Sequence, residues 1–449
     1  MTWRGASLWR EATNGPNVVA RRTGHGDIAH NSRRPIFYKN AVVTTPFSDP
    51  HHARAITLLS LAAFASAASV RLCDPMLPEL ARQFSADTTE AARVVSFFAI
   101  AYGLLQAFFG TLGDRIGKYR LIALCTLAST VGTLAAACTT SLNGLVAARF
   151  LTGMTAAGVI PLAMAWIGDT VAYEHRQATL ARFLAGQIIG LVSGQFIGGL
   201  FTDTLGWRWS FIFLAIIFAG VGWHVLQESR HNPHAKQVHT SHLSGSGMLA
   251  QVGAVFATPW ARIVLAIVFV EGMLVFGPMA FVPSFLHDRF AISLTTAAAM
   301  IAAFGAGGIV YITFARRILQ RIGEAGLASI GGGLLAVAWL VMAMEQNWQW
   351  TPLATFLAGL GYYMLHNTLQ TNATQMTPAA RGTAVSLFAS AFFLGQSCGV
   401  FVAARVFNQS GSVALFAGAA LLLPLLSSLF AILLARHHRQ PASNPVSPK

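Results

Sequence analysis

The segment GTLGDRIGKYR, residues 110–120, concentrates four charged side chains between two apolar runs. The chain has 449 residues, of which 54% are hydrophobic and only 10% are charged. Soluble domains carry about 25% charged residues, so this composition excludes an ordinary soluble protein. Apolar runs of about 20 residues, long enough to cross a hydrocarbon core as helices, recur on both sides of the segment. We therefore expect the segment to form a short polar loop between two membrane spans.

The apolar runs predict an all-α polytopic membrane protein with twelve transmembrane helices. Lipid offers no hydrogen-bonding partner to the backbone, so spanning segments must be helices or closed barrels. The runs lack the period-two alternation that barrel strands show. The predicted spans are residues 55–78, 90–112, 120–139, 143–169, 177–201, 208–227, 261–286, 294–315, 325–345, 351–374, 382–404 and 411–435.

The basic residues predict how the chain sits in the membrane. Most of the 30 Lys and Arg residues fall in the N-terminal tail and in loops on the side of Asp114. Because basic loops stay in the cytoplasm, we expect both termini to be cytoplasmic, in the cell (inner) membrane. The formal net charge of +14 then reflects orientation and contact with anionic lipids at the cytoplasmic face, not binding of nucleic acid.

The chain also repeats itself, because a shift of 206 places RIGKYRL (115–121) on RIGEAGL (321–327). A shift of 205 aligns a second set: Arg176 with Arg381, Gly190 with Gly395 and Gly194 with Gly399. Two homologous six-helix halves that enter from the same side are typical of transporters with parallel repeats. The expected organisation is a disordered basic cytoplasmic tail (1–54), an N-terminal six-helix bundle (55–227), a cytoplasmic linker (228–260), a C-terminal six-helix bundle (261–435) and a cytoplasmic tail (436–449).

Two short sequence motifs occur in the N-terminal half, one in a loop and one in a span. The loop between the second and third spans reads G-x-x-x-D-R-x-G-K, with Gly110, Asp114, Arg115, Gly117 and Lys118 at its defined positions. The fourth span contains R-x-x-x-G, starting at Arg149. On these motifs the chain resembles the major facilitator superfamily of transporters over residues 55–435.

The resemblance implies two six-helix bundles that move a small organic solute by alternating access. The stretch CDPMLPEL after the first span is similar to the twelve-span drug and sugar exporters, which implies proton-coupled efflux by a monomer. Gln195 replaces a proline that antiporters of the family often carry, so no kink is forced there and antiport is less favoured. The alternative is a proton symporter or facilitator that imports a nutrient.

Function classes other than transport lack their motifs. An enzyme is not expected because neither a GxSxG nor an HExxH sequence is present. The phosphate-binding pattern GxxxxGK[ST] is also missing, so we expect no cofactor and no ATP drive. A receptor or assembly subunit would be expected to lose the loop motif or the charges inside the membrane, and this chain keeps both.

The resemblance implies that the loop motif acts as a conformational latch. Asp114 is expected to face the N-terminus of the eleventh helix near Arg381–Thr383, where the helix dipole favours an anion. Lys118 or Arg115 is expected to pair with Asp169 at the inner end of the fourth span. These contacts would hold the halves together in the outward-facing state. The alternative is that the charges serve only to orient the chain.

Ionisable residues inside membrane spans are functional candidates because hydrocarbon disfavours charge. Asp74 and Arg149 both fall in the outer third, where they form either a structural ion pair or a site at which Asp74 takes up a proton or a cation. Glu271 lies near the midplane and is a candidate for binding protons or a cationic substrate, or for a structural hydrogen bond. Polar residues that line a central cavity or join helices are His366, Asn367, Gln370 and Gln106.

The fifth span carries one glycine per turn at Gly186, Gly190, Gly194 and Gly198. Such a small-residue ridge lets two helices approach closely. It predicts either static close packing or a surface along which helices slide.

We expect Asp114→Asn to lower transport by up to about fivefold while membrane insertion stays normal. The reason is that a partly exposed ionic contact biases an equilibrium by about 0–1 kcal/mol. The measurement is solute flux, normalised to the amount of inserted protein. Unchanged flux in a well-expressed variant would show that the loop is not a latch.

Overall fold

The computed structural model describes residues 50–232 and 245–439, and the regular elements within these ranges are helices. The all-α prediction is therefore confirmed for this part of the chain. The helices are α1 (Pro50–Arg71), α2 (Leu77–Gln83), α3 (Thr88–Ile116), α4 (Lys118–Cys138), α5 (Leu142–Ala156), α6 (Val159–Thr170), α7 (Tyr173–Thr204), α8 (Trp207–His231), α9 (Gly245–Ala257), α10 (Pro259–Met279), α11 (Val282–Phe290), α12 (Leu294–Met344), α13 (Thr351–Ala373) and α14 (Arg381–Arg439).

Nine helical stretches of the described chain are long and apolar enough to cross a membrane. Two of them, Leu294–Met344 and Pro378–Arg439, are too long for one crossing, and a glycine with non-helical backbone interrupts each. When each of these two is divided at its glycine, the nine stretches become eleven segments of membrane length. The 23-residue α13 is the twelfth, and the order is the predicted one.

We call α1–α8 the N half and α10–α14 the C half. The expected linker, residues 228–260, contains the end of α8 and the helix α9, which the sequence analysis did not anticipate. Residues 233–244 of the linker, and the parts of the expected tails before residue 50 and after residue 439, lie outside the described residues. The domain boundaries stay predictions.

Left-handed glycines reproduce the sequence repeat in the backbone. Gly117 and Gly323, which are 206 residues apart, have φ values of 96° and 68°. Gly206 and Gly411, which are 205 residues apart, have φ values of 97° and 83°. With ψ between 122° and 178°, these conformations belong to a region that essentially only glycine occupies. Each pair turns the chain sharply between two antiparallel helices at equivalent places in the two halves.

The glycine ridge of α7 packs against α1 inside the N half. A Cβ atom at any of the four ridge positions would come within 3 Å of an α1 carbonyl oxygen. These oxygens belong to Ser60, Phe64, Ala68 and Leu72, one per turn. Gly395 and Gly399 of α14 approach α10 carbonyls in the same way. The ridge thus holds helices of one half together, and the contact between the halves uses other residues.

Gly411→Ala should lower stability by about 1–3 kcal/mol through backbone strain alone. A Cβ at this position has no neighbour within 4 Å, so no clash contributes. Gly418→Ala is the matched control, because Gly418 also has open space around its Cβ position but its backbone is helical, whereas that of Gly411 is not. We expect that control to be neutral or stabilised by up to about 1 kcal/mol. The measurement is thermal unfolding in detergent, and equal effects of the two substitutions would contradict the strain argument.

Candidate functional site

The halves meet where α7 ends and α12 begins, which we call the Asp203 end of the bundle. The Asp203 carboxylate accepts hydrogen bonds from the backbone N–H of Leu294 (3.3 Å) and from both the N–H (2.7 Å) and the hydroxyl (2.6 Å) of Thr295. Free N–H groups and the dipole at a helix N-terminus favour such an anion. One carboxylate of the N half therefore caps a helix of the C half.

The opposite end carries the loop of Asp114, and we call it the Asp114 end. Along α3, residues 96, 103 and 110 share one face, because seven residues make about two turns. The Ser96 carbonyl accepts a hydrogen bond from Ser397 (2.9 Å), and a Cβ at Gly103 would lie 3.1 Å from Ser390 O. At Gly110 a Cβ would meet nothing within 4 Å. Among the described residues, the contacts of this α3 face with the C half therefore lie toward the Asp203 end, and the position of Gly110 toward the Asp114 end is open.

At the Asp114 end, Lys118 lies at the centre of an ionic cluster. Its Nζ is 3.0 Å from Asp114 Oδ1 and 2.6 Å from Asp169 Oδ2. Asp169 is the predicted partner, but both residues belong to the N half, so this pair cannot tie the halves together as expected. Thr383, at the start of α14, donates to Gln251 of α9 (2.6 Å). The contact of Asp114 with α14 stays a prediction for a state closed at this end.

The other residues of the loop motif take different roles. Gly117 provides the left-handed turn between α3 and α4, with φ at 96°. Arg115 is exposed at the end of α3, and Gly110 faces the open side described above. The backbone conformation at this turn therefore explains why the motif has a glycine at position 117.

A second ionic cluster lies toward the Asp203 end, within the N half. Arg71 Nη1 donates to Asp74 Oδ2 (3.0 Å), and both side chains are buried. Arg149 donates instead to the hydroxyl (3.1 Å) and carbonyl (2.8 Å) of Ser69, and its guanidinium lies 4.0 Å from the Phe98 ring centre. The predicted neighbours Asp74 and Arg149 are therefore joined to the same segment of chain, but the direct ion pair of Asp74 is with Arg71.

The third cluster joins two residues that were predicted separately. His366 Nδ1 of α13 lies 2.8 Å from Glu271 Oε2 of α10. Glu271 is fully buried, and its Oε1 has no hydrogen-bond partner. A charged carboxylate in such a place requires its imidazole partner or a proton of its own. The pair can therefore hold one or two protons deep in the C half.

Aromatic rings surround this pair and connect it to Arg71. Ring centres of Phe392 and Tyr362 lie 4.8 Å and 4.9 Å from that of His366. The Phe276 ring lies 5.0 Å from Tyr362 and stacks under the guanidinium of Arg71 at 4.3 Å. Phe276 therefore bridges the ionic clusters of the two halves. The sequence analysis missed these rings, although Tyr362 and His366, four residues apart, share one helix face.

The remaining predicted polar residues are not gathered at this pair. Asn367 donates to the Tyr311 hydroxyl (3.0 Å), which joins α13 to α12. Gln370 is exposed one turn nearer the Asp114 end than His366. Gln106 is buried on α3, and its Oε1 has no hydrogen-bond partner. Asn367 thus joins helices, while Gln106 has one acceptor without a partner among the described residues.

Comparison with known sequences identifies relatives along most of the chain. The family model described as Major Facilitator Superfamily matches residues 59–400 and 264–449. YwfA of Bacillus subtilis, an uncharacterized MFS-type transporter, is 23% identical over 83% of this chain and 90% of its own length. YnfM of Escherichia coli K12, an inner membrane transport protein, is 27% identical over 59% of this chain and 61% of its own length. The multidrug export protein EmrB of the same strain is 26% identical, over only 34% of this chain and 30% of EmrB.

A solved structure supports the fold. A bacterial homologue of the human lysosomal transporter Spinster, in an inward-facing and unoccupied conformation, superposes with a TM-score of 0.67. The match covers 88% of this chain and all of that chain, at 16% sequence identity. At this identity, the likeness concerns the arrangement of helices alone.

Asp203→Ala should open the Asp203 end more often. Loss of its hydrogen bonds removes about 1 kcal/mol, or roughly fivefold in the equilibrium. The reporter is Ser96→Cys in a chain without its four native cysteines, labelled by an impermeant maleimide from the Asp203 side. Ser96 is suitable because it is 3% exposed and its hydroxyl has no partner.

Asp87→Ala is the matched control for this measurement. Asp87 also caps a helix N-terminus at the same end, accepting from Glu90 N (2.7 Å), but within the N half. We expect about fivefold faster labelling with Asp203→Ala and little change with Asp87→Ala. Equal rates in all three backgrounds would show that Asp203 does not hold this end closed.

Proposed function

This chain belongs to the major facilitator superfamily and is a multi-pass membrane transporter, and we propose that it exports small organic molecules in exchange for protons. The proposed location is the inner membrane, with both termini in the cytoplasm. Similarity to EmrB, a multidrug export protein, and to YnfM, an inner membrane transport protein, supports this direction and place. The basic loops at the Asp114 end support the orientation.

The observation that carries proton coupling is the buried pair of Glu271 and His366. Carboxylate and imidazole groups inside a membrane protein are typical members of proton relays. While Glu271 is charged, the 2.8 Å contact with His366 holds α10 to α13. A proton delivered to the carboxylate removes the charge that attracts His366. Proton uptake can thus loosen the packing of these helices beside the aromatic cluster.

The arrangement of the halves supports alternating access. In this structure the Asp203 end is joined by hydrogen bonds, while a Cβ at Gly110 of α3 would meet no atom of the described residues within 4 Å. With the predicted orientation, the open side faces the cytoplasm, where an exporter takes up its substrate. We propose that Asp114 and the start of α14 approach each other in the opposite state.

The proposed partners are a small-molecule substrate, protons and anionic lipids at the cytoplasmic face. One chain supplies both halves of the site, since Arg71 comes from the N half and Phe276 from the C half. The proposed working unit is therefore a monomer.

We expect Glu271→Gln to abolish proton-driven export, because a glutamine side chain cannot exchange a proton. A panel of antibiotics, dyes and sugars is first tested for growth protection by the chain. The compound with the largest effect is then measured for uptake into inverted vesicles with an acid interior. Glu79→Gln is the control, because Glu79 is a surface carboxylate that pairs with Arg82.

The expected result is gradient-driven accumulation with wild type and Glu79→Gln, and at least about tenfold less with Glu271→Gln. Full accumulation with Glu271→Gln would exclude this carboxylate from coupling. Accumulation only in right-side-out vesicles would show import instead of export.

A further inference from the structure

The helix α9 lies at the Asp114 end of the C half, beside the beginnings of two spans. It ends at Ala257, shortly before α10 begins, and it also contacts the 3₁₀ turn Pro378–Ala380 and the helix α14 that follows this turn. Its 13 residues include no charged side chain. A helix at the surface of a protein in water normally carries charged or polar residues on its outer side. The composition of α9 therefore indicates an apolar environment for part of its surface.

The two sides of α9 differ. Successive residues are about 100° apart around a helix, so the exposed residues of α9 form one continuous side. This exposed side consists of Leu249, Ala250, Gly253, Ala254, Phe256 and Ala257. Leu249 and Phe256, seven residues apart and therefore on the same side, are 70% and 50% exposed. The opposite side carries Gln251 and Val255, which are partly or fully buried against the protein.

A lipid surface fits the exposed side of α9. Helices that lie in the plane of a membrane bury their apolar side at the boundary between headgroups and acyl chains. The helix α10, which begins at Pro259, opens a stretch that is long and apolar enough to cross a membrane. The C-terminal end of α9 is thus at the level where a span enters the bilayer. The exposed side of α9 is therefore continuous in sequence with a surface that lipid covers.

The opposite side of α9 binds the start of α14. The hydroxyl of Thr383, the third residue of α14, donates to Gln251 Oε1 (2.6 Å). This helix start is the predicted partner of Asp114. At the Asp203 end the corresponding donor is Thr295, whose hydroxyl and N–H both donate to the carboxylate of Asp203. Gln251 therefore occupies a threonine hydroxyl of the kind that, at the joined end, binds a carboxylate of the other half.

This hydrogen bond opposes closure of the Asp114 end. A threonine hydroxyl carries a single O–H group, so it donates fully to one acceptor at a time. While Thr383 donates to Gln251, its hydroxyl is not available to Asp114. A contact of the Asp203 type at this end requires that Thr383 exchange its acceptor. The state that is open at the Asp114 end is thus stabilised by one hydrogen bond from α9.

We propose that α9 is a membrane-bound helix that stabilises the state open at the Asp114 end. Its exposed side lies in the cytoplasmic leaflet, and Gln251 holds Thr383 until that end closes. Because the leaflet keeps α9 in place, removal of α9 from the bilayer also releases the start of α14. The inference rests on the proposed alternating access and orientation, but not on export or on proton coupling.

The contact with the bilayer is tested by fluorescence quenching on the full chain in lipid nanodiscs. Leu249→Cys and Phe256→Cys, each in the cysteine-free chain, carry a bimane label, and the lipids carry nitroxides at shallow or deep acyl positions. We expect strong quenching at both sites by the shallow nitroxide. Val131→Cys, 63% exposed on a span, is the positive control for the deep nitroxide, and Gln375→Cys, exposed at the Asp114 end, is the negative control.

Quenching at Leu249→Cys and Phe256→Cys as weak as that at Gln375→Cys would overturn the proposal. Disulfide cross-links between two chains at these positions, together with weak quenching, would assign the exposed side to a second copy of the chain instead.

The hydrogen bond is tested with the Ser96→Cys reporter and no gradient. Gln251→Leu removes the acceptor, so we expect about fivefold faster labelling from the Asp203 side. In a chain with Thr383→Val the hydroxyl is missing, and Gln251→Leu should then have no further effect. Gln375→Leu, at an exposed glutamine of the same end, is the control and should label as wild type.

The link between leaflet and helix start is tested by the combined substitution Leu249→Asn and Phe256→Asn. We expect faster labelling with Thr383 present and no change with Thr383→Val, because the bilayer acts on α14 through this hydroxyl. If the combined variant does not insert, Gln251→Leu and the quenching measurement still test the proposal.

Asp203→Ala distinguishes the ways in which the proposals fail. If Asp203→Ala accelerates labelling and Gln251→Leu does not, α9 does not stabilise the open state, while alternating access stands. If neither accelerates labelling, alternating access is contradicted, and this proposal with it. Equal acceleration by Gln251→Leu with Thr383 and with Thr383→Val would indicate general loosening and would also overturn the proposal. The outcome for Glu271→Gln does not enter, since no proton gradient is present.

Discussion

The constraint on which this structure depends is the treatment of charge in an interior surrounded by hydrocarbon. Water cannot stabilise an ion there, so each buried charge needs an opposite charge or several hydrogen-bond donors and acceptors. Glu271 has His366, and Asp74 has Arg71. Arg149 has the oxygens of Ser69 and the face of Phe98. The Glu271–His366 pair joins α10 to α13, and the bonds of Arg149 to Ser69 join α5 to α1, so these two contacts fix helices relative to one another.

The bridge between these groups is the ring of Phe276. It belongs to the C half, yet it lies under Arg71 of the N half and next to Tyr362, which stacks on His366. A change at Glu271 and His366 therefore reaches the contact surface of the two halves through only two aromatic rings. The rings are large and rigid, so a displacement of one requires a displacement of the next. This geometry gives a short path from a proton site to the contact between the halves.

Much of the fold could be predicted from the sequence because its determinants are local. Runs of about 20 apolar residues specify helices in lipid regardless of their neighbours, and repeated glycines such as Gly117 and Gly323 specify equivalent turns. The pairing of Glu271 with His366 could not be predicted, since it depends on how α10 and α13 are rotated toward each other. Asp203 was missed for the same reason. Lys118 pairs with Asp169 as one of the two predicted alternatives, and because both residues fall within 55–227, the predicted boundaries already placed this pair inside the N half.

We propose that the two ends of the bundle use the same type of contact, each in a different state of the protein. Asp203 ends a helix of the N half and caps the N-terminus of α12 in the C half. Asp114 also lies near the end of an N-half helix, and its predicted partner is the N-terminus of α14 in the C half. If the predicted Asp114 contact forms, both contacts join a carboxylate to free N–H groups at a helix N-terminus, and each would contribute a similar, small free energy. Exchange of one contact for the other then leaves the two states nearly balanced, and ligands with modest differential affinity can decide between them. A much stronger contact at either end would trap the protein in one state.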